Sequence, residues 1–255
     1  MKIIVLMKQV PASDSALRID ESHSWIYEDN LEFETNESDA YALEAGLQLK
    51  ERHNGEVVVL SIGPVRVQKM LREALARGAD RAIHIEASSL RDPLTIASLA
   101  ARAIETEHPD FILAGIQSDD LGYGETGVVL AEILGLPHAT LVMEIEKTGD
   151  QSIRVKRELE GGWFQWVALP LPALLTIQSG ITTLRYATLK GIMKAKKKEM
   201  RQITASDVDL VKKSMLEIVR CSIPQRTKQT RILGGSTKEA ATKLVEILQT
   251  EVPVL

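Results

Sequence analysis

Short apolar runs alternate with amphipathic stretches over the first 145 residues of the chain. Four runs, residues 3–7, 57–62, 81–85 and 111–116, have the length and nearly continuous apolar character of strands that are buried on both faces. The stretches between them have the length of helices. Strand and helix repeated with short connections predict a mainly parallel sheet wrapped by helices, which is a doubly wound α/β fold.

End signals give the boundaries of three predicted helices in this region. One ends at Gly78. Its apolar side chains share one face and are Val67, Met70, Leu71, Ala74 and Leu75. A second helix begins near Asn36, which can cap it with Asp39 three positions later, and ends at residues 54–55. A third begins at Pro93, because proline suits the first helical turn.

The pattern changes after residue 137, where strand-like runs follow one another with no gap of helix length. These runs are residues 140–145, 153–159, 163–169 and 173–177. They predict a mainly antiparallel extension of the sheet. Beyond residue 198 the pattern weakens until a late helix, which begins with a capping box of Ser236 and Glu239. Its apolar stripe consists of Ala241, Leu244, Val245 and Leu248.

We therefore divide the chain into an α/β domain, residues 1–198, and a C-terminal arm with its helix, residues 199–255. The arm has few core positions, so we expect it to pack on another surface.

Composition narrows the class of protein. With 255 residues, 44% of them hydrophobic and 26% charged, the chain has the makeup of a water-soluble globular protein. No run is long enough to span a membrane and none resembles a signal peptide, so we expect a cytoplasmic protein without membrane insertion. The 31 basic residues nearly balance the 35 acidic ones, which gives no reason to expect a nucleic-acid partner.

Metal and disulfide chemistry find little support in the sequence. A single cysteine, Cys221, excludes an internal disulfide and a four-cysteine cluster. The five histidines show no metal-ligand spacing. Asp119 and Asp120 could form a metal or acid–base pair, but adjacent side chains point in different directions and no third ligand is near. We expect no metal, and for Asp120 a role in a ligand-binding loop or as a helix cap.

Residues 115–127, GIQSDDLGYGETG, form a glycine-rich turn between the fourth strand and a new helix. In a doubly wound sheet, ligands bind beyond the carboxyl ends of the strands, and backbone N–H groups at a helix start bind phosphate. A nucleotide phosphate is therefore a reasonable occupant. The spacing matches neither GxGxxG nor a P-loop, so an ordinary flexible loop remains the alternative.

Three consecutive motifs resemble those of the beta subunit of the electron transfer flavoproteins, which are heterodimeric redox carriers. They are VKRELEGG at residues 155–162, LPLPALLTIQSG at 169–180 and LRYATLKGIMKAKKK at 184–198. The resemblance extends over essentially the whole chain, through MKQVP at 7–11, Asn36, SIGP at 61–64 and ALARGADRAIHI at 74–85. Beta subunits also carry a GxQ…D…TG segment, which Gly115, Gln117, Asp120, Thr126 and Gly127 match.

The resemblance implies a fold like that of the adenine nucleotide alpha hydrolases, with an adenine nucleotide pocket. The residues expected to bind the nucleotide are Leu6, Met7, Lys8, Asn36, Asp39, Ile62, Gly63, Gly115, Gln117, Ser118, Asp119, Asp120, Gly122, Gly124, Glu125, Thr126 and Gly127. Family members hold AMP there as simple carriers, or a second FAD when they bifurcate electrons. The loop lacks the sequence associated with a second FAD, so AMP is expected.

Departures from the family bear on this pocket. Many members have further polar residues where this chain has Leu121, Gly122 and Gly124. Glu125 stands where many members have glutamine, and a carboxylate repels a phosphate unless it points away or is paired.

Residues 185–198 combine apolar and basic side chains. A run of charge is usually a solvated face, but lysines can also steer an acidic partner while an apolar side chain anchors it. In the family this segment is the recognition loop for flavoprotein dehydrogenases, with a leucine at the position of Leu189 entering a pocket. The residues expected to dock are Leu189, Ile192, Met193, Lys194 and Lys197. Two usual prolines are replaced, by Leu184 and Lys190, which raises the cost of ordering the loop.

The resemblance places residues 155–162, the first part of a predicted hairpin, near the junction with the alpha subunit. Trp163 and Trp166 lie three positions apart on the second predicted strand of that hairpin, so they face opposite sides. We expect them in the core or an interface rather than stacked on a flavin.

Taken with the resemblance, these features predict a carrier without catalytic residues of its own. It would bind a structural AMP, share the FAD of an alpha subunit in an obligate heterodimer, and pass electrons from dehydrogenases such as those acting on acyl-CoA to a quinone-linked oxidoreductase. An ATP pyrophosphatase of related fold would need SGGxDS after the first strand, whereas residues 8–15 read KQVPASDS. A nucleotide-sensing module would end near residue 150 and leave the lysine segment and the arm unexplained.

Overall fold

The structure, a computed structural model, describes residues 1–88, 90, 92–204, 215–224 and 230–251. The strands are β1 (Lys2–Leu6), β2 (Gln9–Pro11), β3 (Phe33–Thr35), β4 (Glu56–Gly63), β5 (Arg81–Glu86), β6 (Phe111–Gly115), β7 (His138–Lys147), β8 (Ser152–Glu158), β9 (Phe164–Pro170), β10 (Ala173–Ile177) and β11 (Met200–Thr204). The helices are α1 (Glu37–His53), α2 (Val67–Arg77), α3 (Pro93–Glu105), α4 (Thr126–Leu134), α5 (Leu189–Ala195) and α6 (Thr237–Thr250).

Nine strands form one sheet in the order β11-β5-β4-β1-β6-β10-β7-β8-β9. Every neighbouring pair from β11 to β7 is parallel, whereas β8 pairs antiparallel with both β7 and β9. The predicted α/β fold with an antiparallel extension is therefore confirmed. The antiparallel strands lie at one end of the sheet, where short turns join them.

Alternate residues of β1 show how the sheet is covered on both faces. Ile3 and Val5 pack in a cluster with residues of α1 and α2, whereas Ile4 packs in a second cluster with residues of α3 and α4. All three side chains are fully buried. Since successive side chains of a strand point to opposite faces, a continuous apolar run is what a strand between two helix layers requires.

The position of β10 differs from the prediction. Residues 173–177 were assigned to the antiparallel extension, but β10 lies between β6 and β7 and is parallel to both. Each of its five residues is buried. A fully buried run suits a central parallel strand, and the β8–β9 hairpin lets the chain return into the sheet before β10.

Three further strands were not predicted. β11 follows residue 198 directly and extends the sheet by pairing parallel with β5. Its residues are half-buried or exposed, as at a sheet edge, so its sequence carries little apolar signal. β2 and β3 form a separate antiparallel ladder of three residues each beside the end of β1.

Four predicted helix ends agree with the structure, and one predicted side-chain cap does not. α1 ends just before Asn54, and α3 begins at Pro93. Gly78 follows α2, and α6 begins with the complete Ser236–Glu239 capping box. The predicted side-chain cap of α1 is wrong, because Asn36 makes no such hydrogen bond and turns to another segment, described below. No helix among the described residues is long and apolar enough to cross a membrane.

Several apolar side chains remain uncovered. Trp163 and Trp166 are 74% and 41% exposed, so neither belongs to the core. Leu244 and Val245 of the α6 stripe are about half exposed, as expected for a helix that packs on a surface outside this chain.

Candidate nucleotide site and docking face

A cavity of about 420 Å³ opens at the carboxyl ends of the parallel strands. Its walls include residues at or just beyond the ends of β1, β4, β5 and β6, and the first residues of α4. β1 lies between β4 and β6, so the chain leaves β1 toward one side of the sheet and later crosses to the other. Such a crossing point is where doubly wound folds bind ligands.

Most of the residues predicted to bind a nucleotide line this cavity. They are Leu6, Met7, Lys8, Asn36, Asp39, Ile62, Gly63, Gly115, Gln117, Ser118, Asp120, Gly124, Glu125, Thr126 and Gly127. Asp119 and Gly122 do not. Asp119 instead attaches the 115–127 loop to α1, because its carboxylate accepts a hydrogen bond from the Glu37 N–H at 3.0 Å. Gly122 forms a turn with φ +65°, a conformation that glycine adopts without strain.

The cavity also has walls that sequence reasoning missed. Trp25 and Glu28 come from the segment between β2 and β3, which shows no periodic pattern. Arg66 and Tyr123 also line the cavity. Arg66 lies two residues beyond the SIGP motif and Tyr123 within the 115–127 loop, so their positions, though not their orientation, could have been inferred.

The start of α1 fixes the 115–127 loop. The Asn36 side chain donates to the Gln117 carbonyl at 2.9 Å and accepts from the Asp119 N–H at 2.9 Å. The Ser38 hydroxyl donates to the same Gln117 carbonyl at 2.9 Å. Asn36 is 1% exposed, so these bonds are shielded from water and hold the loop in one conformation.

Asp39 joins the ends of two central strands. Its carboxylate accepts from the Lys8 N–H at 2.8 Å, just after β1, and from the Gly115 N–H at 2.7 Å, at the end of β6. Burial raises the pKa of Asp39 to about 6, against the lowering effect of these backbone bonds. A Cβ at Gly115 would lie 2.5 Å from Asp39 Oδ1 and 2.8 Å from Asp39 N, so this approach requires glycine.

Lys8 also provides the main cation inside the cavity. Its Nζ lies 2.5 Å from Asp120 Oδ1 and donates to Ser118 Oγ at 3.2 Å. Burial would raise the pKa of Asp120, but the charge and hydrogen bond of Lys8, with hydrogen bonds from Ser118 and the Leu121 N–H, hold it below its usual value. The pair is only partly exposed, with side-chain accessibilities of 33% and 14%.

A second ion pair forms another part of the wall. Arg66 Nη2 lies 2.9 Å from Glu28 Oε2, and its guanidinium lies 3.8 Å from the centre of the Phe33 ring. These contacts attach the segment between β2 and β3 to the start of α2. The segment is thereby fixed beside the cavity.

The start of α4 has the properties of an anion site. Glu125 occupies the N-cap position, but its side chain makes no capping hydrogen bond. The first N–H groups of a helix lack partners within the helix and lie at the positive end of its dipole. Gly127 lets this end pack close to β10, because a Cβ there would lie 2.5 Å from Thr176 Cγ2. No group of three potential metal-ligating side chains occurs among the described residues.

Half of the predicted recognition loop, residues 189–195 of 185–198, is a helix. α5 begins after Thr188, whose hydroxyl accepts from the Gly191 N–H at 3.0 Å and caps it. Leu189, Ile192 and Met193 are 84%, 45% and 71% exposed. The exposed lysines beside them are Lys190, Lys194, Lys196 and Lys197. We call these seven residues the docking face.

Lys198 differs from the other lysines of this segment. Its Nζ donates to the Leu75 carbonyl at 3.0 Å and to the Ala79 carbonyl, beyond the end of α2. It holds α5 near α2 and is not part of the exposed charge.

Residues 24–208, well over half of the chain, match the electron transfer flavoprotein domain family. The chain belongs to the electron transfer flavoprotein family. It is 38% identical to the electron transfer flavoprotein subunit beta of Methylophilus methylotrophus, over 97% of this chain and 98% of the relative. It is 35% identical to the subunit beta of Bradyrhizobium diazoefficiens over the full length of both. The resemblance inferred from the motifs is confirmed.

Electron transfer as part of a flavoprotein is the role that the family implies for the chain. Relatives come from more than one compartment, since the Arabidopsis thaliana protein, 34% identical over 96% of this chain and 97% of its own length, is named mitochondrial. The cytoplasmic location expected from the sequence therefore stays a prediction.

Proposed function

We propose that this chain is the beta subunit of a heterodimeric electron transfer flavoprotein whose cavity holds a structural AMP. The observation that carries the proposal is the convergence of Lys8, the uncapped start of α4 and an apolar wall in one cavity at the crossing point of the sheet. A helix start and a lysine suit a phosphate, while apolar side chains suit a purine base. Leu6, Leu60, Ile62 and Val67 belong to that wall.

Size supports a mononucleotide over a dinucleotide. Small-molecule sites span roughly 300–1,000 Å³. At about 420 Å³, this cavity lies toward the small end of that range. AMP is therefore the preferred occupant, and a second FAD, as in a bifurcating flavoprotein, is the alternative that the test below distinguishes.

Charge supports one phosphate group. Among the residues that the structure describes, the acidic lining consists of Glu28, Asp39, Asp120 and Glu125, and the basic lining consists of Lys8 and Arg66. Asp120 is paired with Lys8 and Glu28 with Arg66, so a phosphate would share Lys8 with Asp120 and gain further attraction from the α4 N–H groups. Glu125 would oppose a larger negative charge.

The redox chemistry in this proposal is that of the FAD held with an alpha subunit, which accepts and releases electrons. This chain contributes no acid, base or nucleophile and acts by binding and positioning. The exposed Trp163 and the exposed stripe of α6 are surfaces that the alpha subunit would cover, and the part of the chain after β11 would serve as an arm on it.

The docking face supplies contacts with redox partners. Its lysines attract an acidic surface, and Leu189 is exposed enough to enter an apolar pocket. Flavoprotein dehydrogenases, such as those acting on acyl-CoA, would donate electrons there. A quinone-linked oxidoreductase would accept them.

Coexpression with the alpha subunit tests this function. We expect a yellow heterodimer, reduced when a purified acyl-CoA dehydrogenase and its substrate are added. We also expect the chain alone to be poorly soluble. A colourless, well-behaved monomer that gains no flavin with the alpha subunit would contradict the proposal.

A further inference from the structure

Arg185 lies four residues before Leu189 and binds two carboxylates of α1 at once. Its guanidinium lies 2.8 Å (Nε–Oε2) and 2.9 Å (Nη2–Oε1) from Glu44, and 2.5 Å (Nη1–Oε1) and 3.1 Å (Nη2–Oε2) from Glu51. Glu44 is only 4% exposed. A planar guanidinium can hold two carboxylates in fixed directions, which a lysine ammonium cannot do.

Neighbouring contacts extend this attachment along the same face of α1. Gln48 Nε2 donates to Thr182 Oγ1 at 2.6 Å, and to Glu44 Oε1 at 3.1 Å. Positions 44, 48 and 51 lie on one side of a helix. The segment that leads into α5 is thereby tied to α1 at two points.

Arg72 holds the other end of α5. Its Nη1 donates to the Ala195 carbonyl at 2.8 Å and to the Lys198 carbonyl at 2.9 Å. Ala195 is the last residue of α5, and its carbonyl also accepts from the Lys198 N–H at 3.3 Å, so Arg72 binds both the helix end and the turn that follows it. Gly191 in the middle of α5 faces the Ala76 carbonyl, where a Cβ would be closer than 3.0 Å, so α5 is seated directly on α2.

A helix of seven residues is not stable alone in water. Resting on the proposed function, we propose that Arg185 and Arg72 act as positioning residues that hold α5 in its docking conformation before a partner arrives. The partner chemistry that fits is an acidic rim around an apolar pocket, which receives Leu189.

Preorganisation lowers the free energy spent on ordering a segment during binding. The test uses the flavin-loaded heterodimer, reduced by a purified acyl-CoA dehydrogenase at varied heterodimer concentration. Arg185→Gln and Arg72→Gln should each raise the KM for the heterodimer about tenfold and leave the limiting rate and flavin content unchanged. Amide hydrogen exchange of residues 189–195 should accelerate in the same variants.

Two further variants complete the test. We call the contacts of Arg185 with Glu44 and Glu51, together with those of Arg72, the clamp. Glu44→Gln with Arg185→Gln removes the Arg185–Glu44 part of the clamp without leaving a buried unpaired charge, and should raise the KM as Arg185→Gln does. Arg102→Gln is the control, because Arg102 lies on α3 in an exposed pair with Glu105, 3.4 Å apart, and should change neither KM nor exchange.

The outcomes separate this inference from the proposed function. If Leu189→Ala raises the KM but the arginine variants do not, although their α5 amides exchange faster, the clamp plays no part in docking. A raised KM with unchanged exchange would also overturn it, since the arginines would then act by direct contact. If Leu189→Ala itself has no effect, the proposed docking face is wrong and the clamp inference falls with it.

Discussion

Lys8 Nζ lies 2.5 Å from Asp120 Oδ1, so the residue that follows β1 is bound directly to the loop that follows β6. The same lysine donates its backbone N–H to Asp39. One residue thus joins three parts of the cavity wall and is also its main cation. The proposed phosphate would share Lys8 with Asp120, which makes the pair the most sensitive place to test the site.

Lys8→Met should lower the nucleotide content of the purified heterodimer and destabilise it by about 1–2 kcal/mol. The cost is less than for a fully buried pair because Lys8 is partly exposed. Nucleotide released by denaturation and urea unfolding measure the two effects. Lys8→Met with Asp120→Asn, which leaves no unpaired charge, should recover most of the stability but not the nucleotide. Full nucleotide content in Lys8→Met would contradict the assigned role.

Gly115→Ala should destabilise the protein by about 1–3 kcal/mol, because the added methyl group meets Asp39 and Ser38 at distances below contact. Backbone atoms are among those neighbours, so adjustment of a side chain cannot relieve the overlap. The matched control is Gly234→Ala, where no atom lies within 4 Å of an added Cβ. Equal unfolding midpoints for the two variants would show that the close approach at Gly115 is not needed.

Asp39 predicts a specific pH dependence. Its folded pKa of about 6 lies above the ordinary 3.8, so the native state binds this proton more tightly than the unfolded state. Its contribution to stability is complete below pH 3.8 and is lost as pH rises through about 6. Between about pH 4.5 and 7, the stability of the wild type relative to Asp39→Asn should fall by about 2 kcal/mol.

Urea unfolding at several pH values within that window checks this prediction. Glu107 does not obscure it, because Arg81 lowers the pKa of Glu107 to about 2 and its contribution is lost only as pH falls below 4.5. A constant difference between the wild type and Asp39→Asn across the window would show that Asp39 is not desolvated.

Leu189→Ala should weaken docking without changing bound flavin. Anchoring side chains commonly contribute about 2 kcal/mol or more, which is roughly thirtyfold in affinity. Reduction by the dehydrogenase at subsaturating heterodimer measures the loss. Leu17→Ala is a suitable comparison, because Leu17 is half exposed but lies far from α5 in sequence, in the segment between β2 and β3. Equal rates for the two variants would show that Leu189 makes no contribution to docking.

The parallel core was predictable because β1, β4, β5 and β6 are buried on both faces and therefore read as apolar runs. The place of β10 was not predictable, since strand order depends on pairing between distant segments. β11 was missed for a related reason, because an edge strand needs few apolar residues.

The candidate site was likewise predictable in part. Glycines and polar residues at strand ends indicated the cavity, and most of them line it. The sequence around Asn36 and Asp39 is typical of a helix cap. Their side chains instead form long-range hydrogen bonds to the 115–127 loop and to the backbone just after β1. Trp25 and Glu28 gave no signal, because a wall built from an irregular segment depends on how that segment folds back.

Identification of the small molecules that denaturation releases from the purified heterodimer tests the central claim most directly. Mass spectrometry with quantification against protein should find one AMP and one FAD for each heterodimer, with the AMP diminished in Lys8→Met. Two FAD without AMP would show that the cavity holds a second flavin. FAD alone, with no adenylate in the wild type, would contradict a nucleotide site at the ends of β1 and β6.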